Sequence, residues 1–194
     1  MSAAVAIACP ADPTVLTAAD PGRDRSRLSA AMWSFPGQAL FRLSPKPLYK
    51  LRVRLLNLFG ARIDPTVRIR PDVTIDRPWN LSMGRKSSLG DGVVVWAHAP
   101  VTIGARCTIS QYCRLAAFRE SPEHPAAPTT AAPLTIGDDV WIAAESYVAG
   151  GQSIPDGVLV GARSVIDAPL EPWTICSGEP AVSRRPRPFK GRSP

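Results

Sequence analysis

An aliphatic residue returns at every sixth position through more than half of the chain. Ile63, Ile69, Ile75 and Leu81 make the first run. Leu89 and Val95 follow after a slip of two, and Ile103, Ile109 and Leu115 after another. The beat resumes at Ile136 and continues through Ile142, Val148, Ile154, Val160 and Ile166. Four residues after most of these anchors sits a second small or apolar residue: Val67, Val73, Val93, Cys107, Cys113, Val140, Ser146, Val158 and Ser164. A helix repeats its apolar face about every 3.6 residues and a strand about every two, so this period fits neither. It fits a hexapeptide β-helix, in which each hexad is one short strand plus a corner. Fifteen anchors at three per turn predict five coils, grouped 63/69/75, 81/89/95, 103/109/115, 136/142/148 and 154/160/166.

The interruptions are informative. A two-residue slip bulges at a corner without disturbing the strands. The long insertion over residues 116–135 contains Pro122, Pro125, Pro128 and Pro133 and shows neither helical nor strand period, so it is expected to project from the prism as an arm. Before the repeats, the spacing predicts a helix over Leu48 to Phe59, with Leu48, Leu51, Leu55 and Leu58 on one face and Gly60 as its stop. Such a helix can cap the first coil, which a solenoid must cover. It can also lie on anionic lipid, because Lys50 and Arg54 share its polar flank. The chain thus divides into an Ala-, Pro- and Asp-rich segment expected to be disordered (1–25), a helical cap (26–60), the β-helix (61–172, arm included) and a C-terminal extension with a basic tail (173–194).

The net charge of +7 concentrates at the two ends, with Arg42, Lys46, Lys50, Arg52 and Arg54 before the coils and Arg184, Arg185, Arg187, Lys190 and Arg192 after them. That favours anionic partners: a phosphorylated donor or an anionic membrane surface. Nucleic acid fits poorly, since no aromatic residues interleave with the basic ones. Cys107 and Cys113 fall on inward repeat positions, Cys9 and Cys176 outside the coils, and no Cys/His ligand spacing occurs, so no metal site is expected. No stretch is apolar enough to span a membrane, and the start lacks the basic region of a signal peptide. A reduced, cytoplasmic setting follows as an expectation, with peripheral contact at the inner face of the membrane.

Particular segments carry a resemblance to a known family. They are Leu51–Ala61, the run Pro78-Trp79-Asn80-Leu81, Ile103-Gly104, Ile109-Ser110-Gln111, the run from Ile136 to Ile142, Val160 to Val165, and Trp173-Thr174-Ile175 followed by Pro180-Ala181. Over about residues 28–185 the chain resembles the hexapeptide-repeat acyltransferases, and more closely the colanic acid biosynthesis acetyltransferases. The resemblance implies a mainly β, left-handed parallel β-helix, a homotrimer, acetyl-CoA as donor and a sugar hydroxyl as acceptor.

One departure bears on the chemistry. The family's projecting loop opens with a histidine that serves as general base. Counting without gaps from Leu115, that position is occupied by Glu120, between Arg119 and Ser121. A carboxylate is about two pKa units less basic than imidazole, worth roughly 2–3 kcal/mol of driving force. The chain's two histidines are the other candidates. His98 stands at the slip after Val95, one coil away from the root of the loop, and His124 lies within the loop between prolines. The bland alternatives are a corner histidine that faces solvent or bonds to the next corner, and a surface loop residue. For the donor, small corner residues let a pantetheine arm approach the backbone, and guanidinium suits phosphate. Ala143, Ala144, Gly150, Gly151, Gly161 and Ala162 are the small residues; Arg163, Arg184 and Arg185 are the phosphate candidates. Glu179 and Val182 depart from the family's closing motif there. Two functions therefore stand side by side: a sugar O-acetyltransferase with a displaced base, and a non-catalytic binding or scaffold member.

Overall fold

The computed structural model describes residues 31–45, 47–119 and 130–188. Strands of two or three residues wind into a left-handed parallel β-helix of five coils, each coil giving one strand to each of three sheets. In sheet A the stacked inward residues are Ile63, Met83, Ile103, Ile136 and Ile154. In sheet B they are Ile69, Leu89, Ile109, Ile142 and Val160. In sheet C they are Ile75, Val95, Leu115, Val148 and Ile166. All fifteen are buried.

The second coil corrects one anchor. Met83, not Leu81, stacks between Ile63 and Ile103. Leu81 lies two residues earlier on the strand Leu81–Met83, is also buried, and pairs with Val101. Alternate strand residues share a face, so both point inward, and the six-residue beat alone does not separate them. The slip therefore falls at the corner between Ile75 and Met83, which holds a short 3₁₀ turn, Pro78–Asn80.

The nine companion residues read from the sequence, Val67 to Ser164, are all buried, and the corrected register adds Ser87 to the series. The polar members of the series bond to corner backbone groups inside the prism. Ser87 Oγ donates to the Gly104 carbonyl at 2.7 Å and accepts from Cys107 N–H at 3.0 Å. Ser146 Oγ lies 2.9 Å from the Ala143 carbonyl and 3.0 Å from that of Gly161. A larger apolar side chain would leave those carbonyls without their partner. At many corners the residue before the companion is left-handed: Lys86, Arg106, Tyr112, Asp139, Glu145 and Arg163 have φ of 57–61°. That conformation costs about 1–2 kcal/mol per L-residue. Backbone bonds to the coil before offset it, such as Arg106 N–H to the Arg85 carbonyl at 2.8 Å and Asp139 N–H to that of Ala105 at 2.9 Å.

The cap comprises a π-helical turn (Trp33–Gly37), helix α1 (Gln38–Leu43) and helix α2 (Tyr49–Leu58). The helix predicted over Leu48 to Phe59 is present, and Gly60, at φ 96°, follows it. Its buried face differs from the predicted one. Arg52, Val53 and Leu56 face the coil, while Leu48, Leu51 and Leu58 are exposed and Leu55 is half-buried. The leucine stripe lost because Arg52 finds carbonyl partners at the open end of the first coil, which no leucine can satisfy. Asn57 likewise bonds both backbone groups of Ile63, at 2.9 Å each, and Trp33 Nε1 donates to the Ile75 carbonyl at 2.8 Å.

At the other end, Thr174–Gly178 adds a parallel strand to Leu159–Val160, and Ala181–Pro186 folds back antiparallel upon it. Cys176 is in register with Val160 and buried, so it continues the sheet B stack instead of lying outside it. Gly157 (φ 71°) is required here, because a Cβ would run into the Trp173 ring. The projecting segment is narrower than residues 116–135. Ala116, Ala117 and Leu134 are buried, and Phe118–Arg119 pairs antiparallel with Thr130–Ala131 to close its root. Glu120, His124, Cys9 and the segment 1–25 lie outside the described residues.

Candidate functional site

The edge where sheet C turns into sheet A carries the candidate base. Stacking of Ile75, Val95 and Leu115 puts three corners in succession along it: Asp76-Arg77, Ala97-His98 and Ala117-Phe118. Each is pinned to the next. Asp76 Oδ1 accepts from Ala97 N–H at 2.6 Å, Asn80 Nδ2 donates to the Ala97 carbonyl at 2.8 Å, and Ala117 N–H donates to the Trp96 carbonyl at 2.8 Å.

His98 sits in this array half-buried, at 30 % side-chain exposure, against the neighbouring corner. Its Nε2 lies 3.3 Å from Asp76 Oδ2. Its ring lies 4.9 Å from that of Phe118 at 32°, and the Trp96 ring is 5.9 Å from Phe118. Aromatic contact at these separations holds the imidazole plane against the loop root. The loop root is held in turn. Arg119 Nε donates to the Gly150 carbonyl at 2.9 Å, and a Cβ on Gly150 would meet the Phe118 backbone at 2.5–2.7 Å. Gly150 is thus small because the next coil's corner must let the arm depart.

The donor candidates gather on a different edge, where sheet B turns into sheet C on the late coils. Register of Ile142 with Val160 and of Val160 with Cys176 stacks Ala143, Gly161 and Ser177. A Cβ on Gly161 would stand 3.0 Å from Ser177 Cβ, so the corner is closely built. Ala144 accepts from Arg163 N–H at 2.9 Å, and Ala162 is exposed. Arg163 is exposed but engaged, with Nε 3.0 Å from Glu145 Oε2. Arg184 reaches the Gly178 position at 3.2 Å, which brings it to this edge, and Arg185 is exposed opposite Ile175. Small residues and cations therefore meet here, as a phosphorylated donor would require. Within one chain the two edges are separated by sheet C, so His98 and the donor corner do not come together.

Sequence reasoning missed Asp76, Trp96 and Phe118, and it put Gly150 among the donor corners, whereas Gly150 stands against the loop root. The signal for Asp76 was available, since the residue after one third anchor must neighbour the corner after the next. A groove of about 320 Å³ along sheet B, lined by Tyr49, Arg68, Arg70, Asp91, Ser110 and Gln111, holds none of the candidate residues. It is a cleft left between the cap helix and the first three coils. Among the described residues no group of three His, Cys, Asp or Glu side chains is placed to hold a metal ion. No described helix is long and apolar enough to cross a membrane.

No protein-family model matches the chain. WcaF of Escherichia coli, assigned as a colanic acid biosynthesis acetyltransferase, is 37 % identical over 165 residues, covering 85 % of this chain and 91 % of WcaF. Two solved structures share the fold. One is a hexapeptide-repeat acetyltransferase from Vibrio cholerae complexed with acetyl-CoA (23 % identity, TM-score 0.70, 84 % of this chain and 87 % of that one). The other is a galactoside acetyltransferase in complex with coenzyme A (19 % identity, TM-score 0.72, 84 % of each chain). The inward anchors, the cap and the closing hairpin, together with the extent of the WcaF match, place this chain in the colanic acid biosynthesis acetyltransferase family of hexapeptide-repeat proteins.

Proposed function

We propose that the protein transfers the acetyl group of acetyl-CoA to a hydroxyl of a sugar in polysaccharide biosynthesis. The observation that carries the reading is the half-buried His98, held against Phe118 at the root of the projecting segment. An acceptor hydroxyl placed there would give its proton to a base as its oxygen attacks the thioester carbonyl. Holding both substrates together supplies much of the rate. Family membership and two structural neighbours crystallised with coenzyme A or acetyl-CoA support the donor. Ala143, Ala144, Gly161 and Ala162 would lie along the pantetheine arm, and Arg163, Arg184 and Arg185 would meet its phosphates.

The separation of the two edges supports a site shared between neighbouring copies, which fits a homotrimer. Light scattering at micromolar concentration should give three times the chain mass; a monomer would remove the shared site. The exposed leucines of the cap, Leu40, Leu43, Leu48, Leu51 and Leu58, lie among Arg42, Lys50 and Arg54 and fit peripheral contact with an anionic bilayer. Co-sedimentation with phosphatidylserine vesicles, absent with phosphatidylcholine alone, would support that contact.

The deciding experiment is acetyl-CoA turnover against a panel of sugars, sugar nucleotides and oligosaccharides, following thiol release together with ester formation by mass spectrometry. A second reading, a binding protein without turnover, is favoured by Glu120 at the family's histidine position. It predicts acetyl-CoA binding by calorimetry with no ester formed on any acceptor.

A further inference from the structure

We propose that Asp76 and His98 form a dyad in which His98 is the general base and Asp76 its positioning residue, so that the base comes from the second coil's corner instead of the projecting loop. The inference rests on the acetyltransferase reading above.

The geometry assigns the roles. An ionised carboxylate only accepts hydrogen bonds, so in the proposed dyad the imidazole nitrogen facing it carries the hydrogen. Nε2 is that nitrogen, 3.3 Å from Asp76 Oδ2. The lone pair then belongs to Nδ1, the atom left to take a proton. Contacts of this length often tighten once substrate is bound. Nucleophile-activating bases are commonly oriented by a third group in this way.

The surroundings leave the carboxylate little freedom. Asp76 Oδ1 is committed to Ala97 N–H at 2.6 Å, one residue from His98 itself. Arg77 is the nearby cation, with Nε 3.9 Å from Asp76 Oδ2 and Nη1 3.5 Å from the His98 carbonyl. On the neighbouring corner, Arg119 directs its Nε to the Gly150 carbonyl. Phe118 covers one side of the imidazole, with Trp96 beside it. Aromatic rings beside an acid–base pair also suit the apolar face of a sugar ring.

The step balances simply. The acceptor oxygen bonds to the acetyl carbonyl carbon as its proton passes to Nδ1. The carbon–sulfur bond then breaks, and the imidazolium returns the proton to the departing thiolate. The products are an O-acetyl ester and free coenzyme A, with the dyad restored.

The test uses the full chain, acetyl-CoA and an acceptor from the panel. His98→Gln, which keeps volume and removes the base, should lower kcat by about 10²–10⁴-fold. Its KM for acetyl-CoA should stay within about twofold, since the donor edge is elsewhere. Asp76→Asn is the sharper variant. Its carbonyl still accepts from Ala97 N–H, so the corner stands, but its amide donates where the carboxylate accepted. That turns the imidazole tautomer around and puts the hydrogen on Nδ1. It should lower kcat by at least about tenfold, with Asp76→Glu recovering part of the loss. The chain has two histidines, so ¹⁵N spectra of a His124→Gln background report His98 alone, and the tautomer should invert in Asp76→Asn. A merely structural Asp76 would shift the melting temperature without inverting the tautomer or splitting kcat from KM. Wild-type turnover that persists in His98→Gln, or is abolished only by Glu120→Gln, overturns the dyad alone. A wild-type protein that acetylates no acceptor overturns the dyad and the acetyltransferase reading together.

Discussion

Arg52 of the cap helix donates through Nε to the carbonyl of Ile69 at 2.7 Å, tying the cap to the open end of the first coil. Its Nη1 also reaches Ser44 Oγ and the Pro45 carbonyl, both at 2.9 Å, and the guanidinium lies 5.1 Å from the Tyr49 ring centre. The side chain is fully buried, and burial lowers its pKa. Charge-assisted bonds of this kind make the cap specific as well as stable. Arg52→Met should cost about 2–4 kcal/mol, from carbonyls left without a donor. Arg52→Lys should recover only part of this, because a single ammonium cannot span Ile69 and Pro45. Denaturant melts of the two variants, with dye binding to the uncovered first coil, check the ordering; equal stability of all three proteins would count against it.

Ile142 stacks between Ile109 and Val160 with no exposed surface. Ile142→Asp buries a carboxylate with no partner and should unfold the adjoining coils; Ile109→Asp should do the same. Ile142→Val should cost only about 0.5–1.5 kcal/mol. Circular dichroism during thermal unfolding separates the three outcomes.

Gly150→Ala should disturb activity at a distance. The new methyl would meet the Phe118 backbone at 2.5–2.7 Å, and Phe118 is the ring against which His98 rests. A displacement near an ångström commonly costs about 10²-fold in rate. A fall in kcat of about 10–10²-fold, with acetyl-CoA KM little changed, is the expected result. Unaltered kcat would mean that the loop root does not position the base.

Burial pushes the Cys107 thiol up to about 11 and raises that of Cys113. Both are sealed inside the prism. At pH 8 in the native protein, iodoacetamide should modify them at least about 100-fold more slowly than an exposed cysteine. In guanidinium the protection should vanish. Site-resolved mass spectrometry makes the measurement, and rapid native labelling of either would contradict the packing.

The Arg106 guanidinium, bonded to Asp139 at 2.7 and 2.6 Å, holds that carboxyl below the usual range. A carboxyl lowered in the folded state adds stability above its unfolded pKa of about 3.9. That stability is lost as pH falls through this value and through the lower folded one. Asp139→Asn should therefore melt below wild type by about 2 °C at pH 7 and converge with it once the pH has fallen below the lowered folded value. A gap that widens in acid would reverse the sign.

The sequence by itself determined the β-helix, because a solenoid core depends on each coil's own inward residues and their successors one turn away. Ile63 to Ile166 announced that period without reference to anything distant, and Ser146 and Cys107 fell at the corners where small residues must be. The projecting segment and the helix before the coils were legible for the same reason, being local breaks in a local rule. The tertiary structure decided what depended on contacts between coils. Leu81 and Met83 both point inward, and only pairing with Ile63 and Ile103 picks Met83 as the anchor. The cap buried Arg52 over Leu51 and Leu58 because carbonyls at the open coil end needed donors, a demand the helix's own periodicity does not express. Asp76, His98 and Phe118 come from three successive coils and meet only when the prism stacks their corners. Residues on successive corners are distant in sequence and neighbours in space, so the periodicity located the fold while the stacking alone brought Asp76, His98 and Phe118 together.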